Sequence, residues 1–268
     1  MINILISVNS DLASSIAIRY AGQLAQFMEI ALQPIHVKEP EQKGNLFGTG
    51  WVRHTWEHAL ADRAEEEISL LIRTEKPYCP ALAAPRVVVG ERESEILKEL
   101  QTGSYDLFME GMLASFDEGD FRKLVSSRLY QNMPCPIIVV KNLVGVSKVA
   151  LLTHKDMDPS VLVEQFCSIF KESNLVLDVV HCVPEKGKGG ISIDHLDPHE
   201  KHSRKVIDTL QKLNWKPQQA ETVSGRPKEI ADYLSKYGLV ACAIRDGLDR
   251  KNPIYTILAH APSPIFLC

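Results

Sequence analysis

The six cysteines (Cys79, Cys135, Cys167, Cys182, Cys242 and Cys268) form no C-x-x-C pair, which removes the usual zinc-ribbon and thioredoxin-like spacings. Several lie inside apolar, strand-like runs, so buried reduced thiols are expected, packed as small hydrophobes. No apolar run approaches the roughly 20 residues that cross a bilayer. The start "MINILISVNS" lacks the basic region, long apolar stretch and cleavage site of a secretory leader. Membrane insertion is not expected, and the chain reads as cytoplasmic. There is no basic excess either: the formal charge is -4, which gives no general attraction for nucleic acid or anionic lipid.

Catalytic punctuation is also missing. There is no G-x-S-x-G elbow. "RHTWEH" places His54 and His58 one turn apart, but Glu57 precedes the second His and does not follow the first, so it is not H-E-x-x-H. "EKGKGG" (185–190) follows a strand-like run and lacks the G-K-[ST] of a phosphate loop. His195, His199 and His202, beside Asp194 and Asp197, have helix-like spacing for a metal, but Pro198 interrupts it and a solvated loop is the reading adopted. No catalytic residue and no metal ligand is assigned, and the protein is not read as an enzyme.

What the chain does contain is a repeat. Its 268 residues suffice for two domains, and 45% hydrophobic with 24% charged is ordinary globular composition. "NILISV" from Asn3, "IHV" around His36, "VVVG" ending at Gly90, "DLFMEG" ending at Gly111 and "PCPIIVV" around Pro136 return in order. Their counterparts are "KVALLT" from Lys148, "VHCV" around His181, "TVSG" ending at Gly225, "LVACAIRDG" ending at Gly247 and "PSPIFLC" around Pro264. The offset is 145 from Ile4 to Val149 and from His36 to His181, then 135 at Gly90/Gly225 and 128 at Pro136/Pro264. The second copy is therefore ten residues shorter around its second helix and a further seven shorter before its final Pro.

Between these landmarks lie stripes of helical period. In the first copy they are Leu12, Ile16, Tyr20 and Leu24; Val52, Trp56, Leu60, Ala64 and Ile68; Ile96, Leu97 and Leu100; and Phe121, Leu124, Val125 and Leu129. In the second they are Leu162, Phe166, Ile169 and Phe170; Val206, Leu210 and Leu213; and Ile230, Tyr233 and Leu234. Each half thus reads βαβαβαβαβ. Alternating strands and helices make a parallel sheet covered on both faces, and unalternating runs such as "IIVV" fit strands buried on both sides. The expected architecture is α/β: two tandem doubly wound domains, 1–142 and a shortened 146–268, each a five-stranded mainly parallel sheet. The join "VVKNLVGVSKVALL" leaves little room for a flexible linker. Segments 39–50 and 184–200, with their Gly and Pro, read as loops.

With this order of landmarks the chain resembles the universal stress protein family in its tandem form, an adenine nucleotide alpha hydrolase-like fold. ATP-binding members of that family carry an Asp after strand one and G-x-x-G-x9-G-[ST] after strand four. The resemblance places Asn9 at the Asp, Gly111 at the first Gly and Ala114 at the second. The closing Gly-[ST] falls at Lys123–Leu124 or Leu124–Val125, whose side chains occupy space that phosphate oxygens need. If ATP binds, the resemblance implies Asn9, Val37, Gly90, Gly111, Ala114, Ser126 and Ser127 as its contacts, with Arg122 and Lys123 as nearby positive charge. The expectation adopted is no cofactor, and a non-enzymatic regulatory or scaffold role in stress response through protein association. The alternative is an ATP or adenylate sensor using the first domain. The expected partners are unidentified proteins, for which Leu46, Phe47 and Trp51 in "NLFGTGW" are candidate anchors. The final strands "PIIVV" and "PIFLC" are expected to pair the two domains within one chain, and a homodimer is the further association expected.

Overall fold

The computed structural model describes the chain apart from residues 41–50, 113–117, 186, 188–189, 198–200 and 245–251, and describes 51–58 and 201–203 by backbone alone. In the first half β1 (Ile2–Ser7), α1 (Leu12–Leu24), β2 (Ile30–Lys38), α2 (Trp51–Glu75), β3 (Arg86–Val89), α3 (Arg92–Thr102), β4 (Leu107–Gly111), α4 (Glu118–Val125), α5 (Arg128–Gln131) and β5 (Ile137–Val140) follow one another. The second half runs β6 (Lys148–Thr153), α6 (Pro159–Phe170), β7 (Val176–Pro184), β8 (Ser192–His195), α7 (Lys201–Lys212), β9 (Gln219–Gly225), α8 (Pro227–Leu234), β10 (Leu239–Cys242), α9 (Ile254–His260) and β11 (Ile265–Leu267).

The strands form one sheet in the order β3-β2-β1-β4-β5-β11-β10-β6-β7-β9-β8. Within each half the repeated strands are parallel, in the same order from the outer strand to the join. The halves meet where β5 and β11 pair antiparallel, with Phe266 opposite Ile138. The inner strands are apolar and buried along their length, because helices cover both faces: Ile137–Val140 and Ile265–Leu267 are buried throughout. Phe266 of β11 lies edge-on to Phe166 and Phe170 of α6, both at 5.9 Å between ring centroids. Across the join, α4 packs on α9, and the buried Tyr20 hydroxyl of α1 donates to the carbonyl of Gly238, 2.8 Å away at the entrance to β10. A Cβ on Gly238 would stand 1.9 Å from the Gly145 carbonyl oxygen, so the short connector can press on β10 only because Gly is there.

Two elements differ from the sequence reading. The stripe from Phe121 to Leu129 is two helices. Ser127 is extended (φ -66°, ψ 156°) and its hydroxyl accepts from the Tyr130 N–H, which makes it the cap of α5. Ser126 and Ser127 therefore do not lie inside one helix. The segment 184–200 contains β8, which adds an antiparallel edge strand to the five parallel strands of the second half. Four residues with serine and aspartate among them are too short and too polar to register as a period-two pattern.

Candidate functional site

In a doubly wound sheet the ligand crevice lies at the carboxyl ends of the strands, where successive connections leave in opposite directions. In the first half that point is between β1 and β4, which are hydrogen-bonded neighbours with Ser7 opposite Glu110. Glu110 is buried, 6% exposed. Arg92, the first residue of α3, reaches across the strand ends and places Nη2 2.5 Å from Glu110 Oε2 and 3.1 Å from Ser7 Oγ. The buried Tyr130 hydroxyl of α5 donates to the other carboxylate oxygen, Glu110 Oε1. Burial works against the Arg92 charge, but Glu110 and Tyr130 outweigh it and hold its pKa above the ordinary value. Burial and Glu110 together push the Tyr130 phenol well up, so it remains a donor. Side chains of the chain itself thus meet at this point, and both carboxylate oxygens of Glu110 have partners.

In both halves the helix N-termini at the carboxyl ends of the strands are occupied in the same manner, at opposite edges of the sheet because the join is antiparallel. An N-terminus binds phosphate because its orphan N–H groups and dipole favour negative charge. Here Asp11 Oδ1 accepts from Ser14 N at the start of α1 (2.8 Å), and Glu91 Oε2 from Ser94 N at α3 (3.1 Å). Asp158 Oδ1 accepts from Ser160 N at α6 (2.9 Å), and Glu229 Oε2 from the Arg226 N–H at α8 (3.0 Å). The first turn of α4, where the resemblance places the phosphate loop, carries Glu118 and Asp120. Glu118 accepts from Thr256 Oγ1 of α9 at 2.5 Å and from Arg122 Nε at 3.0 Å, and these two hold its carboxyl below the usual range. Lys123 is exposed and engaged by Asp120 at 3.1 Å. Arg122 and Lys123 therefore already serve α4's own acids.

Of the predicted contacts, Asn9, Val37, Gly90 and Gly111 lie at the carboxyl ends of the adjacent strands β1, β2, β3 and β4. Asn9 is exposed just past β1, its N–H donating to Ser14 Oγ at 2.8 Å. Val37 is buried in β2, Gly90 donates its N–H to the Lys38 carbonyl at 3.1 Å, and Ser126 is exposed between α4 and α5. Ala114 lies outside the described residues. Gly111 has a structural reason of its own: a Cβ there would stand 2.0 Å from the Ala13 carbonyl oxygen, because the end of β4 abuts the first turn of α1. His36 and His181 are both buried, and each bonds to the neighbouring strand at the matched residue. Their partners are the Val8 carbonyl oxygen (2.8 Å) and Thr153 Oγ1 (3.2 Å). Of the histidine cluster, His195 is exposed on β8, His199 lies outside the described residues, and His202 is described by backbone alone. Among the described residues no group of three His, Cys, Asp or Glu side chains is arranged to hold a metal. Leu46 and Phe47 also fall outside the described residues, and Trp51 is known by backbone alone as the first residue of α2.

Sequence reasoning missed Arg92, Glu110 and Tyr130. The available signal was Glu110 itself, one acid in the otherwise apolar "LFME" of a strand buried on both faces, which demands a charged partner. The second half answers all four members of this network with apolar or weakly polar residues. Leu152 stands at Ser7, Cys242 at Glu110, Pro227 at Arg92 and Leu258 at Tyr130, by strand register and by distance from the repeat landmarks. Leu152, Cys242 and Leu258 are fully buried. The position of Asn9 is taken by His154, 4% exposed, with Asp156 Oδ2 3.4 Å from its Nδ1.

No family model matches the chain, and no curated protein matches it. Solved structures do. A universal stress protein from Archaeoglobus fulgidus DSM 4304 superposes with a TM-score of 0.67 at 12% identity, covering 99% of this chain and 95% of that one. A functionally unknown protein from Pseudomonas aeruginosa PAO1 gives 0.55 at 15% identity, over 99% and 91%. A candidate universal stress protein from Pseudomonas aeruginosa UCBPP-PA14 gives 0.53 at 16%, over 99% and 92%. The strand order of each half, the antiparallel join and these full-length superpositions together give the chain the tandem universal stress protein fold.

Proposed function

We propose that this is a non-enzymatic regulatory or scaffold protein of the universal stress type that works by protein association and uses no nucleotide. The observation that carries the reading is the Arg92–Glu110–Tyr130 network, which sets the chain's own charges at the switch point between β1 and β4. A bound adenylate would have to displace a buried ion pair and bring phosphates to helix starts already holding Asp11, Glu91, Glu118 and Asp120. Like charges at those starts oppose it. The thiols offer no nucleophile: all six are reduced and buried, and burial pushes Cys167 and Cys182 up to about 12. Reduced thiols suit a reducing, cytoplasmic setting, and no helix among the described residues is long and apolar enough to cross a membrane.

The test is ligand-induced stabilisation of the full chain, since anything that binds only the folded state raises its stability by mass action. Millimolar ATP is expected to leave the melting temperature unchanged, and native mass spectrometry of the gently purified protein to find no nucleotide. A saturable rise with ATP, or a co-purifying adenylate, overturns the reading in favour of an adenylate sensor.

A further inference from the structure

The sheet has two edges, and they are not equally protected. Val87, Val88 and Val89 of β3 are each half-buried, whereas all four residues of β8 are exposed. The polarity of β8 is fixed by its neighbour. The Leu196 N–H donates to the Ala220 carbonyl at 3.0 Å, and the ladder pairs Asp194 with Thr222 and Ser192 with Ser224. Hydrogen-bonded pairs alternate along an antiparallel ladder. Ser192 and Asp194 therefore turn their main-chain groups toward β9, and Ile193 and His195 turn theirs away from the sheet. Among the described residues no main-chain partner meets the N–H of Ile193 or His195. The apolar side chains here are also in water: Ile191 is 39% and Ile193 49% exposed. Unpaired edge groups beside exposed isoleucines are a template for strand addition.

We propose that β8 is the dimerisation edge of this protein, pairing antiparallel with β8 of a second copy so that Ile193 lies opposite its own counterpart. Self-complementarity selects the occupant. With Ile193 on the two-fold axis the outward N–H and C=O of both copies of Ile193 bond to each other, and His195 comes opposite Ile191. Ile191, Ile193 and His195 then form one continuous strip on the same face of the joined strands. Asp194 comes opposite Ser192, so no charge meets its like. The other central register, with Asp194 on the axis, sets two carboxylates directly opposite and is destabilised. Only a short stretch of strand is joined, which makes the dimer weak and dependent on concentration. The inference does not depend on the absence of nucleotide and stands or falls separately from it.

The test uses the full chain. In sedimentation velocity the weight-average mass should rise from monomer toward dimer over about a hundredfold increase in concentration. Ile193→Pro, which removes the outward N–H, should hold it at monomer with the circular dichroism unchanged. Should that variant fail to fold, crosslinking gives an independent reading. Hydrogen-bonded antiparallel pairs have Cα atoms about 5.5 Å apart, within disulfide range. Ile193→Cys should therefore give a disulfide-linked dimer under mild oxidation, whereas Asp194→Cys, two residues out of register with its own counterpart, should not. The native cysteines are buried and do not compete. A monomer at every concentration overturns the proposal. So does a folded Ile193→Pro variant that still dimerises, or crosslinking at Asp194→Cys equal to that at Ile193→Cys.

Discussion

Replacing Arg92 by Met tests whether the Glu110 network is what closes the first crevice. The substitution keeps the length of the stem and removes the guanidinium, leaving Glu110 buried with Tyr130 alone. Breaking a buried ion pair by deleting one partner costs about 3–5 kcal/mol, because the surviving charge has lost water and partner together. The Arg92 side chain is 32% exposed, so water can reach part of the vacated space. That lowers the expected loss to about 2–3 kcal/mol. For a cooperative unit of this size each kcal/mol shifts the melting temperature by about 2 °C, so a fall of about 4–6 °C is expected.

Removing Arg92, Glu110 and Tyr130 together should cost less than removing Arg92 alone. Arg92→Met/Glu110→Leu/Tyr130→Phe leaves no charge at the centre, with only the Ser7 hydroxyl having lost its Arg92 partner, and should recover most of the loss. Urea unfolding of the three proteins is the assay. A single variant within about 0.5 kcal/mol of the unmodified chain, or a triple variant as unstable as the single one, refutes the reasoning.

Two further outcomes follow from the join between the halves. A chain ending at Asn142 leaves Ile137–Val140, now buried against β11, as an open apolar edge, and light scattering should find it associated; a soluble monomer would show that the join is not what protects β5. Lys141 Nζ donates to the carbonyls of Leu258, Ala259 and Ala261 at the end of α9, and burial pulls its pKa down to about 7. The unfolded chain, with an ordinary lysine, then binds the extra proton between pH 7 and about 10, so this group adds stability as pH rises from 7. Unfolding free energies at pH 7 and 9 should show that increment in the unmodified chain and not in Lys141→Met; equal pH slopes would remove the effect.

The order of strands and helices was readable because parallel strands buried on both faces leave unalternating apolar runs, and the repeat gave each run a second witness. "IIVV" and "PIFLC" even marked the strands that meet at the join. What escaped were features set by side chains distant in sequence or by very short elements. The helix break at Ser127 depends on a hydroxyl choosing the Tyr130 N–H over solvent, which no hydrophobic period records. β8 is four polar-to-mixed residues in a segment rich in loop formers, and only its pairing with β9 makes it a strand. Gly111 was read as a site for phosphate approach, and the requirement is real, but the backbone that approaches is that of Ala13.

The crevice itself shows why a site can be present in outline and different in chemistry. Closing it with Glu110 requires a cation, a hydroxyl donor and a strand neighbour in fixed positions, which ties the start of α3, the turn into α5 and the ends of β1 and β4 to one another. Closing it with Leu152, Cys242 and Leu258 requires only volume, since dispersion and burial carry no directional demand. The polar and apolar sets are therefore not interchangeable one residue at a time: Glu110 opposite Leu152-type neighbours would be an unpaired buried charge. A polar closure also tolerates little drift in the connection after its strand, whereas an apolar one tolerates a shorter path as long as the space is filled. Of the seven residues missing from the second copy between Gly225 and Pro264, four fall on that connection, between Cys242 and Pro264.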